Sequence, residues 1–151
     1  MTKIILHFSI FILLTSCVRE SNTNQELEES NKKVILQFYQ KAFNELDTNA
    51  VDEFISEPYI QHNPNVPNGK KPVKELISWL ATNQPKGVNE FKRIIADSDY
   101  VVLHVRYVPN DSANVELACV DIFKLKNGKI TEHWDVQQNV PAKSANTNTM
   151  F

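Results

Sequence analysis

Val115–Gln138, VELACVDIFKLKNGKITEHWDVQQ, is the stretch that decides the fold of this chain. Two apolar runs flank Asn127-Gly128, the residue pair favoured in two-residue hairpin turns. We read Val115–Leu125 and Ile130–Gln138 as strands paired about that turn. Side chains alternate faces along a strand, so His133 and Asp135 share one face and Trp134 takes the other. Counting outward from the turn sets Asp121 about opposite Asp135. Asp121, His133 and Asp135 are therefore expected together on one surface. Asp is disfavoured in strands, so Asp121 between Val120 and Ile122 asks for a reason.

Upstream of the hairpin the pattern stays strand-like back to Glu90. Tyr100–Val108 is strongly β-branched and Glu90–Ala96 alternates, with Asp97-Ser98-Asp99 as the turn between them. Before Glu90 the period is helical. Glu26–Leu46 places Leu27, Val34, Ile35, Phe38, Ala42, Phe43 and Leu46 on one stripe. A shorter helix carries Val51, Phe54 and Ile55 and stops at Pro58, and Tyr59–Asn68 is read as loop or short extended segment. A third helix follows Pro72, with Val73, Leu76, Ile77 and Leu80 at helical spacing. Helices segregated from a run of strands give an α+β fold, with N-terminal helices packed on a curved antiparallel sheet. The strands are apolar on both parities, so both sheet faces need cover. Helices would take one face and a second copy of the chain the other, predicting a homodimer.

The 151 residues suit one domain, which we place at 26–140. Residues 141–151 are polar and read as a flexible tail. At the other end, Lys3 precedes the apolar run Ile4–Leu14, which is shorter than the about 20 residues a permanent span needs. It suits the hydrophobic region of an export signal. Leu14-Thr15-Ser16-Cys17 follows and resembles the bacterial lipobox, so residues 1–16 read as a signal peptide, Cys17 as the lipidated residue and 17–25 as a tether. The expected location is the bacterial cell envelope, on the periplasmic side or at the outer membrane, anchored by the lipid. Once Cys17 carries a lipid, Cys119 has no partner for an internal disulfide.

The net charge of −2 offers no basic footprint for nucleic acid. The three glycines, Gly69, Gly87 and Gly128, are dispersed, so no phosphate-cradling loop or dinucleotide fingerprint exists. There is no serine nucleophile elbow and no cysteine pair for a zinc site. We therefore expect no cofactor and no metal. A His62–His133–Asp135 metal arrangement is conceivable, but its spacing is not diagnostic. What remains is acid–base chemistry. A carboxylate in an apolar cavity has a raised pKa and acts as base or acid near neutral pH. The segment Tyr59-Ile60-Gln61-His62-Asn63-Pro64 adds Gln61, His62 and Asn63 as donors for a carbonyl or enolate oxygen.

Tyr59–Pro64 (YIQHNP), Val120–Lys124 (VDIFK) and Asn127–Gln138 (NGKITEHWDVQQ) together resemble the SnoaL-like polyketide cyclases of the nuclear transport factor 2-like superfamily. The resemblance implies a cone of helices over a curved sheet. It also implies cofactor-independent aldol closure with an Asp as general acid/base. That Asp maps onto Asp135, the partner position in the preceding strand onto Asp121, and the loop position onto Gln61 or His62. Characterised cyclases carry a His where this chain has Asp121.

Structural roles stand beside these functional ones. Asp121 has Arg106 or Lys124 as a salt-bridge alternative, His62 a turn cap, and Trp79 and Trp134 a place in core or pocket wall. His104 reads as a satisfied sheet histidine and Cys119 as a small apolar filler. The functional expectation is a small apolar carbonyl-bearing ligand handled by Asp135, Asp121 and His133, with His62, Gln61, Asn63 and Trp134 binding it. The alternative is a non-catalytic ligand-binding or partner-binding envelope lipoprotein.

Overall fold

In a computed structural model, residues 8–84 and 86–151 are described, with side chains from Thr23 onward. The expected signal peptide and Cys17 lie outside the residues with described side chains. Helix α1 runs Phe8–Tyr39, through the stretch read as a tether, and continues into a π-helical turn, Gln40–Asn44. α2 (Asn49–Phe54), β1 (Ile55–Gln61) and α3 (Lys70–Asn83) follow. The chain then makes a meander of β2 (Gly87–Asp97), β3 (Tyr100–Pro109), β4 (Leu117–Lys126) and β5 (Lys129–Asn139). Among the described residues, no helix is long and apolar enough to cross a membrane.

The sheet has five strands in the order β1-β5-β4-β3-β2. It is mixed rather than wholly antiparallel, because β1 joins the edge parallel to β5. Sequence reasoning ends a helix at Pro58 and sees no strand there. The edge position explains both readings. Pro58 lacks a backbone N–H, and an edge strand tolerates that on its unpaired side or at an irregularity. The pairing is broken between Ile55 and Ile60, and Pro58 sits inside that break.

One face of the sheet receives the helices. Ile35 and Phe38 of α1, Val51 and Phe54 of α2 and Ile77 of α3 pack on Val101, Leu103, Val105, Phe123 and Ile130. Phe38 meets Phe54 and Phe123 edge-on, at ring distances of 6.1 and 6.2 Å. The buried Asn31 ties α1 to the β2–β3 turn by donating to the Ser98 carbonyl at 3.1 Å. Trp79, read as core or pocket wall, is instead 57% exposed. It lies on the solvent side of α3, away from the Val73–Ile77 stripe.

The β4–β5 register sets which side chains of β5 face the helices. Near the turn Leu125 pairs with Ile130, but the next pair is Lys124 with Glu132. Thr131 is the extra residue of a β-bulge, and its hydroxyl donates to the Lys124 carbonyl at 3.1 Å. A single extra residue reverses the facing of the strand beyond it. Ile130 faces the helices before the bulge; His133, Asp135 and Gln137 do so after it. Asp121 consequently pairs with Asp135, and Ile122 with Trp134 on the outer face.

The outer face is partly covered by the chain's own C-terminus. The Phe151 ring lies 5.7 Å from the His104 ring and below the Arg106 guanidinium at 5.3 Å. Nearer β5, Val136 stays 69% exposed.

Candidate functional site

A cavity of about 300 Å³ opens between α1, α3 and the inner face of β4 and β5. Phe38, Phe43, Val73, Leu76, Leu80 and Leu117 give it an apolar body. Asp121, His133, Asp135, Gln61 and Asn63 give it a polar wall.

The hydrogen bonds of that wall can be assigned atom by atom. The backbone N–H of Asn63 donates to Gln61 Oε1 at 3.0 Å, and a backbone N–H can only donate. The Gln61 amide is thereby oriented with its oxygen toward His133. His133 Nδ1 lies 3.0 Å from that oxygen and must carry a proton. Its Nε2 lies 3.0 Å from Asp121 Oδ1. With Nδ1 already protonated, one further proton sits between Nε2 and Oδ1, on either atom. Tyr39 donates its hydroxyl to the other oxygen, Oδ2, at 3.3 Å.

Asp121 is almost wholly buried, and removal from water pushes its carboxyl above the usual carboxylate range, with the Asp135 charge adding to the rise. The His133 hydrogen bond and the Tyr39 hydroxyl work against that rise. Burial, and then the Asp121 charge, hold the Tyr39 phenol far above its ordinary value, so it stays a donor. Burial likewise pushes the Cys119 thiol up to about 12, with Asp121 and Asp135 adding to it, which leaves an unreactive thiol. Phe123 backs the couple, its ring 4.8 Å from the His133 ring.

Asp135 is held differently. Asn63 Nδ2 donates to both of its oxygens, at 2.8 and 3.0 Å, and Gln137 Nε2 donates to Oδ2 at 3.1 Å. The backbone N–H of Asn65 donates to Asn63 Oδ1 at 2.8 Å, which turns the Asn63 amide nitrogen toward Asp135. Asn63 therefore serves both carboxylates, through its backbone to Gln61 and through its side chain to Asp135.

The structure brings Asp121, His133, Asp135, Gln61 and Asn63 into one cavity wall and leaves two expected partners outside it. His62 and Trp134 stack on each other on the outer face, with ring centroids 4.2 Å apart and planes 4° from parallel. The alternation of an extended segment explains this. Gln61 and Asn63 point inward, so His62 between them points out, where its Nε2 lies 3.3 Å from Glu132 Oε2. No metal arrangement joins His62 to His133 and Asp135. Asp121 does not meet Arg106 or Lys124; Arg106 makes a bidentate pair with Glu116, both contacts at 2.7 Å. Arg93 donates to His104 Nδ1 at 3.0 Å, on the outer face.

Sequence reasoning misses Tyr39 and Gln137. Gln137 shares the parity of His133 and Asp135 and was within reach of the period of two. Tyr39 carries no such signal, since it is one more aromatic beside a helical stripe and only packing brings it to Asp121.

The family model of the SnoaL-like polyketide cyclases matches residues 33–145. Solved structures agree in fold. TsrD from Streptomyces laurentii superposes with a TM-score of 0.62 at 19% identity, over 72% of this chain and 88% of that one. A candidate polyketide cyclase from Acidithiobacillus ferrooxidans gives 0.61 at 19% identity, over 72% and 87%. AclR from Streptomyces galilaeus, a candidate hydroxylase, gives 0.61 at 20% identity, over 73% and 79%. At such identities the likeness is one of fold. No curated protein matches the sequence.

Proposed function

Because this chain belongs to the SnoaL-like polyketide cyclase family, we propose that its cavity binds a small, mostly apolar molecule bearing a carbonyl group and moves protons on it without a cofactor. The reaction would be of the aldol or isomerase type. The observation that carries this reading is the cavity wall itself. It sets a buried Asp121–His133 couple holding a shared proton beside Asp135, a carboxylate oriented by neutral amides alone. Asp135 is the general base for a proton next to the carbonyl carbon, and the couple supplies or stores the proton that the oxygen needs. Among the described residues Gln61 Nε2 meets only the Tyr59 hydroxyl, at 3.4 Å, and it is the donor placed for the substrate oxygen.

A thermal-shift screen of the full chain against ketones and lactones, run beside Asp135→Asn, tests the placement. Ligands that stabilise the wild type should change rank in the variant. A hit list indifferent to Asp135→Asn would remove Asp135 from the binding wall.

The same proposal includes export and lipid attachment at Cys17, supported by Lys3, Ile4–Leu14 and Leu14-Thr15-Ser16-Cys17. It includes a homodimer through the outer sheet face, supported by the exposed Val136 beside Trp134. A Cys17→Ser chain should leave the membrane fraction, and persistence there would exclude the lipid. Sedimentation at the mass of one chain would exclude the dimer.

A further inference from the structure

The cavity carries a charge imbalance that proton transfer alone does not require. Among the described residues its lining includes Asp121, Asp135 and His133 but no lysine or arginine. Asp121 has its counterpart in His133. Asp135 does not, since its donors are the neutral amides of Asn63 and Gln137. A carboxylate offers about four acceptor sites, and among the described residues Oδ1 of Asp135 receives only Asn63, so a site on it is left for another donor. The aromatic rings of Tyr39, Phe43 and Tyr59 line the same space. A cation entering such a space gains a carboxylate and polarisable π surfaces in exchange for its water. An anion entering it loses its water, finds no counter-charge and meets a like charge.

We propose that the ligand of this cavity carries a protonated nitrogen, seated against Asp135 Oδ1 and the aromatic wall, and that carboxylates and phosphates are excluded. This rests on the reading of the cavity as the ligand site and adds the charge class of what enters it. The nitrogen and the carbonyl would belong to one molecule, an amino ketone or a similar basic carbonyl compound. The same carboxylate that anchors the ammonium group then stands next to the carbon it deprotonates.

Four probes with one naphthyl body separate the possibilities: naphthylmethylamine, naphthylmethanol, methyl naphthyl ketone and naphthoate. Their affinities are measured by fluorescence titration of the full chain, wild type and Asp135→Asn. The amine should bind about tenfold tighter than the alcohol, and naphthoate should not bind. The advantage of the amine should vanish in Asp135→Asn. Naphthoate binding as well as the amine, or an amine no tighter than the alcohol, overturns the proposal. An advantage that survives Asp135→Asn overturns it too, by assigning the attraction to the negative surface at large. If the ketone binds and the amine does not, this inference fails while the carbonyl reading stands. If the amine binds and the ketone does not, the reverse holds. Binding of none of the four rejects both.

Discussion

An Asp121→Asn chain is expected to melt higher than the wild type at pH 7 and to lose most of its proton-transfer activity. Asp121 is nearly sealed from water, and its carboxyl is raised above the ordinary 3.8 chiefly by that burial. A raised value means that the folded state holds this proton more tightly than the unfolded chain does. The stability it contributes is complete below the unfolded value and is lost as pH rises through the folded one. As the pH rises through the folded value, the fold takes on the cost of a buried charge. Asparagine removes the charge and keeps the geometry. Its amide nitrogen can donate to His133 Nε2, which is free to accept once Nδ1 carries the proton, and its oxygen can accept from Tyr39. Replacing a buried charged pair by a neutral one of similar shape is often stabilising, here by about 1–2 kcal/mol, or several degrees in Tm for a domain of this size. The loss of the shared proton should slow proton transfer by about a hundredfold. Melting curves between pH 4 and 8 check the sign: the gap between variant and wild type should widen as pH rises. A gap that narrows would mean that the carboxylate is a net stabiliser and that burial does not dominate its environment.

Inserting one alanine after Thr131 is expected to turn β5 over. With the bulge still holding its one extra residue, the inserted alanine would pair with Lys124, and Asp121 would oppose Trp134. His133, Asp135 and Gln137 would move to the outer face, while Glu132, Trp134 and Val136 would move in. The indole would then occupy the cavity and Asp121 would lose His133. A buried charge stripped of its partner costs about 3–5 kcal/mol, a large part of the about 5–15 kcal/mol that holds a domain together. Thr131→Ala is the control. It keeps the residue count and removes one hydrogen bond, at about 1 kcal/mol, so the cavity should survive. Urea unfolding, with ligand binding by thermal shift, separates the two. An insertion chain that stays as stable as Thr131→Ala and keeps its ligands would show that the single-residue bulge does not set the facing of β5.

That bulge also marks how far the sequence could be read. The turn at Asn127-Gly128 was legible from its residue pair, and the alternation beyond it was legible from the period of two. Counting from the turn brought Asp121 opposite Asp135 to within one residue. The missing residue is Thr131, and no propensity signals a bulge there; it is selected by which side chains the core accepts. β1 was illegible for a related reason. Pro58 is a sound argument against a central strand, and only the assembled sheet reveals an edge. Sequence analysis puts His62 and Trp134 with the ligand-binding residues, next in the chain to Gln61, Asn63 and Asp135. On an extended chain that same nearness sends neighbours to opposite faces. Tyr39 and the exposed Trp79 needed the tertiary structure outright, because a helical stripe does not specify which aromatic reaches across to a strand.

In the proposed function Asp135 moves a proton on a bound carbonyl compound. Exchange of deuterium for the hydrogens next to the carbonyl of a cavity-binding ketone, followed by NMR in D2O, tests it without knowledge of the natural product. The wild type should accelerate exchange over buffer, and Asp135→Asn should reduce that acceleration by at least about a hundredfold while the ketone still stabilises the fold. Equal exchange in the two chains, or no acceleration by the wild type with the ketone bound, would contradict the claim and leave the cavity a passive binding site.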